Sequence, residues 1–94
     1  MKVFLTRRAE RNYKSIKEYI TQEFGEKTAE TFERKADETF QLLEEFPKMG
    51  PVETKDIRGF QLSRQTRILY RVKEQRIIIL SLFDLRQNPK KRPS

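Results

Sequence analysis

Ninety-four residues make room for one domain, and a chain this short buries only somewhat more than ~60% of the surface its unfolded form exposes. It contains no Cys and no His, which excludes disulfides, thiolate chemistry, a histidine general base and the commonest metal ligand. The net charge of +7 is lopsided: residues 1–53 carry ten Lys/Arg against eleven Asp/Glu, and residues 54–94 carry eleven against three. A basic half of this kind points to a nucleic acid or an acidic protein as partner.

Ten aromatic residues, seven of them Phe, argue for a folded core in an otherwise polar chain. No apolar run approaches the ~20 residues of a membrane span. The start, Met1-Lys2-Val3-Phe4-Leu5-Thr6, lacks the long apolar stretch of a signal peptide. The expected location is the cytoplasm, with no metal, cofactor or membrane as partner.

Residues 1–5 read as a short strand, with Val3 and Leu5 on one face. Thr6 is placed to cap the helix that follows. Ala9, Tyr13, Ile16, Ile20 and Phe24 recur at steps of three and four, which makes one apolar stripe. Gly25 suits the position that ends the helix. A second stripe follows at Ala29, Phe32, Ala36, Phe40, Leu43 and Phe46, with Glu26, Glu30 and Glu33 in its first turns where the helix dipole favours acids. Pro47 stops it. The link around Gly25 is so short that residues 7–46 must fold back as an antiparallel helical hairpin.

The period changes to two over residues 56–84. Residues 57–62 and 66–72 alternate, and Arg76 to Phe83 is nearly all apolar, as in a central strand. If Phe60, Leu62, Ile68, Tyr70 and Val72 share the core face, Leu62 aligns with Ile68 and Phe60 with Tyr70 across a loop at Arg64-Gln65-Thr66. Val72 then faces Ile77, Tyr70 faces Ile79, and the turn sits at Glu74-Gln75. Residues 85–94 form a basic tail. The expected fold is α+β: an N-terminal strand, a helical hairpin and a three-stranded antiparallel meander in one sheet, with the helices on one face. The uncovered face would then carry Gln61, Ser63, Arg67, Leu69, Arg71, Ile78, Leu80 and Leu82, arginines beside an apolar strip of the kind that marks a partner surface.

The chain resembles the RelE/ParE superfamily of bacterial toxins. The residues that carry the likeness are Tyr19-Ile20, Phe24-Gly25, Ala29, Phe32, Leu43, Pro47 and Gly50, then Arg67-Ile68-Leu69-Tyr70-Arg71-Val72, Ile78-Ile79-Leu80 and Arg86. The resemblance runs from about Val3 to Pro89. It implies the toxin of a type II toxin–antitoxin system, active in growth inhibition and plasmid stabilisation and silenced by an acidic antitoxin. Two activities come with the superfamily: poisoning of DNA gyrase by ParE-like members, and cutting of mRNA on the ribosome by RelE-like members without a metal.

The resemblance places Arg67 and Arg86 as candidates for the scissile phosphate of an RNase. RNA cleavage through the 2′-hydroxyl also needs a base, an acid and cations around the phosphorane. RelE-like lysines are replaced here by Gln61 and Ser63, and no Tyr or His follows the last strand. Asp84 is expected to pair with Arg86. These departures favour a ParE-like toxin that acts by binding, with Arg67, Leu69, Arg71, Ile78, Leu80, Leu82 and Arg86 as the surface for antitoxin or target. Arg64, Lys90, Lys91 and Arg92 are candidate nucleic-acid contacts. A RelE-like endonuclease and a degenerate nucleic-acid-binding module without toxicity are the alternatives.

Overall fold

The computed structural model describes residues 1–87. The elements in chain order are β1 (Lys2–Leu5), α1 (Arg7–Phe24), α2 (Glu26–Glu45), β2 (Val52–Thr54), β3 (Ile57–Gln61), β4 (Thr66–Lys73) and β5 (Arg76–Asp84). One sheet holds all the strands in the order β1-β5-β4-β3-β2. β1 is parallel to β5, and the other neighbours are antiparallel. The α+β expectation holds, with one strand more than the sequence suggested. β2 escapes sequence reading because it is three residues long and exposed throughout, so it has no apolar alternation.

Thr6 caps α1 as its position predicts. Its Oγ1 accepts the Ala9 N–H at 3.1 Å, and its hydroxyl donates to the Leu80 carbonyl at 3.1 Å, tying the helix start to β5. The stripe of α1 buries Ala9, Ile16 and Ile20, and Tyr13 packs against Phe32 of α2 with ring centroids 5.3 Å apart. α2 buries Ala29, Phe32, Ala36 and Leu43. Phe24 and Phe46 fall outside the core, at 51% and 53% exposed, because each lies at a helix end where the stripe has run past the sheet. Gly25 alone joins the helices. Its φ of 93° and ψ of 168° lie where essentially only glycine goes, and its N–H closes α1 on the Thr21 carbonyl.

Both helices pack on the sheet face that carries Ile68, Tyr70, Ile77 and Ile79, all without solvent exposure. Tyr70 pairs with Ile79 and Val72 with Ile77, as the alternation requires. The turn between β4 and β5 is Glu74-Gln75, both with positive φ, which suits the twist of a two-residue hairpin. The β3–β4 register differs from expectation by two residues: Phe60 faces Ile68 and Arg58 faces Tyr70. The reason is the turn. Ser63 Oγ accepts the N–H groups of Gln65 and Thr66, and Leu62 N–H donates to the Thr66 carbonyl, so the connection begins at Leu62. An even shift leaves every side chain on its expected face.

One change of face does occur. Between the Tyr70–Ile79 and Leu69–Ser81 pairs, β5 holds one extra residue, Leu80. The bulge reverses the alternation beyond it. Leu82, expected on the open face, is instead 5% exposed in the core, and Ser81 and Phe83 take the open side. The bulge sits where β1 ends, with Thr6 N–H on the Ile79 carbonyl. Past that point side chains satisfy the edge of β5: Asn12 Oδ1 accepts the Leu82 N–H at 3.1 Å.

Tyr70 also fixes the loop after α2. Its buried hydroxyl accepts the Gly50 N–H and donates to the Pro47 carbonyl, both at 2.9 Å, while Arg58 donates to the carbonyls of Lys48 and Gly50. Tyr70→Phe keeps the ring and strands the buried Gly50 N–H and the partly buried Pro47 carbonyl. The Gly50 contact is the buried one of the two, so the change is expected to cost about 1–3 kcal/mol in a urea unfolding curve. No helix among the described residues is long and apolar enough to cross a membrane.

Candidate functional site

No described element covers the second face of the sheet. Register arranges its side chains in rows across the strands. Phe4, Ile78 and Arg71 form one row; Ser81 and Leu69 form the next; Phe83 and Arg67 form a third. Phe4 and Phe83 are 46% and 42% exposed and add aromatic surface to this face. A hollow of about 380 Å³ opens between Arg67, Leu69, Ser81, Leu82 and Phe83. Arg76 lies over the Phe4 ring, 5.9 Å from its centroid. The face is apolar in the middle and cationic at intervals.

Its two central arginines are already paired. Glu53 of β2 reaches across β3 to form an ion pair with Arg67. Asp56, in the turn after β2, lies 3.3 Å from Nη2 of Arg71. The path of Glu53 exists because residue 59 is glycine. A Cβ there would collide with the Glu53 carboxylate and the Arg67 guanidinium. The sequence reads Glu53 and Glu74 as loop carboxylates near this region and does not single out Asp56; the structure places Glu53 in β2 and sets both Glu53 and Asp56 against the arginines. Gln61 donates from Nε2 to the Ser63 carbonyl at 2.9 Å.

Arg86 lies elsewhere. Thr66 and Asp84 face each other on the core side of β4 and β5, and the Asp84 side chain has no solvent exposure. Thr66 Oγ1 donates to Asp84 Oδ2 at 2.5 Å. Arg86 donates from its backbone N–H at 2.9 Å and from Nε at 3.0 Å to Oδ1, and from Nη2 at 2.9 Å to Oδ2. This side-on pair is the strong form of arginine–carboxylate contact. Burial pushes the Asp84 pKa up, but the hydrogen bonds from Arg86 and Thr66 and the Arg86 charge outweigh it, and the carboxyl sits below its ordinary value. The exposed ring of Phe24 stacks beneath Arg86, 5.8 Å from the guanidinium carbon. Phe24 therefore has a role outside the stripe that predicts it.

Of the residues singled out from sequence, the structure brings together Arg67, Leu69, Arg71 and Ile78 on one face. Leu80 is half-buried at the bulge, and Leu82 is in the core. Arg86 is held on the helix side of the sheet, apart from Arg67. Arg64 is exposed in the β3–β4 turn. Lys90, Lys91 and Arg92 lie outside the described residues. No group of three or more Asp or Glu side chains converges among the described residues to hold a metal ion.

Comparison with known proteins bears on the fold and the family. The chain superposes on the chromosomal ParDE toxin–antitoxin system from P. aeruginosa with a TM-score of 0.76 at 24% identity, over 89% of this chain and 95% of that one. A YoeB/ParE toxin from Agrobacterium tumefaciens gives 0.66 at 16% identity, over 89% and 98%. The heterotetrameric YoeB–YefM toxin–antitoxin complex from Staphylococcus aureus gives 0.62 at 14%, over 88% and 94%. At these identities the likeness is one of fold. No curated protein matches by sequence. The sequence model of the ParE toxin of the type II toxin–antitoxin system parDE matches residues 3–89. A match over nearly the whole chain, on this fold, decides the family: the chain is a member of the ParE toxins of type II toxin–antitoxin systems.

Proposed function

We propose that this protein is a growth-inhibiting toxin that acts by binding a macromolecular target, with DNA gyrase as that target, and that an acidic antitoxin silences it by covering the open face. The observation that carries the reading is the placement of the two arginines. Arg67 and Arg86, the pair that would clamp a scissile phosphate, lie on opposite sides of the sheet, and Asp84 occupies the Nε–Nη2 edge of Arg86. What the open face offers is exposed aromatic and aliphatic surface with arginines set into it, a surface suited to protein recognition. An antitoxin segment would seat apolar side chains on Leu69, Ile78 and Phe83 and bring carboxylates to Arg67 and Arg71.

One observation favours the second reading, a ribosome-dependent endonuclease. Glu53 beside Arg67 puts a proton acceptor next to a cation, two of the groups that cleavage through a 2′-hydroxyl needs. No Tyr or His stands with them on that face to protonate the leaving oxygen, which is why binding is preferred. Induced expression separates the readings. Growth arrest that is relieved by the antitoxin encoded beside the gene, with no codon-positioned cuts in toeprints, is the expected result. Such cuts would establish the endonuclease, and undisturbed growth would mark a degenerate, non-toxic domain.

A further inference from the structure

The open face meets an acidic segment with its arginines already engaged. We infer that Glu53 and Asp56 are internal stand-ins for the carboxylates of the partner, so that the antitoxin segment docks by exchange, displacing them from Arg67 and Arg71. The inference rests on the open-face reading proposed above and adds the chemistry of the partner to it. Arg67 and Arg71 project from the same face of β4 four residues apart, about 13 Å along the strand, with Leu69 between them. An extended segment that follows β4 therefore needs acidic side chains at its own first and fifth positions and an apolar one at the third.

Three features make exchange favourable. Both internal pairs are accessible to water: the Arg67 and Glu53 side chains are 41% and 36% exposed, and Asp56 is 58% exposed. Such pairs are weak and easily released. Second, Asp56 satisfies Arg71 incompletely. Arg71 Nε is shut off from water and has no hydrogen-bond partner among the described residues. A carboxylate arriving side-on would take Nε and Nη2 together, a geometry that Asp56 does not reach. Third, Gly59 leaves the space in which Glu53 lies, so a segment that replaces Glu53 finds room there. Until the partner arrives, the pairing keeps two arginines from attracting other polyanions.

The test is titration of a labelled peptide, the acidic C-terminal segment of the adjoining antitoxin, into the full chain by fluorescence anisotropy. E53Q/D56N is expected to tighten binding about three- to tenfold, the equivalent of two weak surface pairs. The same effect must be absent when Arg67 and Arg71 are already alanine, because the stand-ins then have nothing to hold. Unchanged affinity in E53Q/D56N overturns the exchange while leaving the docking face intact. Tightening of the same size in the alanine background also overturns it, since that would be a general field effect of removing negative charge. If R67E/R71E binds the peptide as the unaltered chain does, the docking face itself is wrong, and the exchange falls with it.

Discussion

Replacing Arg67 and Arg71 together by glutamate is expected to weaken the antitoxin complex by about 2–5 kcal/mol. The sign follows from placing two negative charges where the partner is expected to bring its own, in a contact that closes over Leu69 and Ile78 and excludes water. The fold should tolerate the change. Both side chains are partly exposed; each gives up a surface pair worth about 0–1 kcal/mol and sets a carboxylate near Glu53 or Asp56, a repulsion that water screens. Calorimetric titration of the antitoxin into the variant, with a circular dichroism melt as control, reads both quantities. An unaltered affinity would mean that the partner docks away from this face.

The second large effect is structural. Asp84→Asn leaves the Arg86 guanidinium without its counter-charge at a site where the side chain it replaces is fully buried. Arg86 keeps part of its surface in water, so the loss is set by its charged hydrogen bonds and is expected at about 1.5–3 kcal/mol. For a domain whose whole stability is expected at about 5–15 kcal/mol, that is a large share. A urea midpoint well below that of the unaltered chain is the predicted result. Thr66→Val, which removes only the hydroxyl donated to Asp84, should cost less.

The pH dependence has a definite sign. Asp84 has a lowered pKa in the folded protein, so its contribution is complete above the unfolded carboxylate value of about 3.9 and is lost as pH falls through the folded value. The midpoints of the two proteins should therefore draw together as the solution is acidified. A gap that stays constant to low pH would show that Asp84 is not ionised in the native state.

Much of this architecture is legible in the sequence, and the exceptions have physical causes. Helical stripes could be read because burial imposes a period: Ala9, Ile16 and Ile20, or Ala29, Phe32, Ala36 and Leu43, have no other reason for their spacing. The turn at Glu74-Gln75 follows from two apolar runs that must face each other. The bulge at Leu80 was hidden because Ile77 to Phe83 is almost continuously apolar, and a continuous run carries no period. Ser81 and Asp84 held the clue. Unbroken alternation would put Ser81 in the core and Asp84 in water, whereas the bulge turns Ser81 outward and buries Asp84 against Thr66 and Arg86.

The site was harder to read than the fold. Arg67 and Arg71 could be placed on one face from parity alone. Their partners could not, because Glu53 reaches Arg67 through the gap left by Gly59, a contact between residues that no local pattern links. Arg86 falls away from that face for a similar reason. It follows the strand in sequence, yet Asp84, whose facing was set by the bulge, draws it to the helix side.

We propose that the protein inhibits by binding gyrase and not by cutting RNA. DNA supercoiling by purified gyrase, measured while this protein is titrated in and again after the antitoxin is added, tests it most directly. Supercoiling is expected to fall as the toxin rises and to return when the antitoxin is present. Full supercoiling at saturating toxin would contradict it.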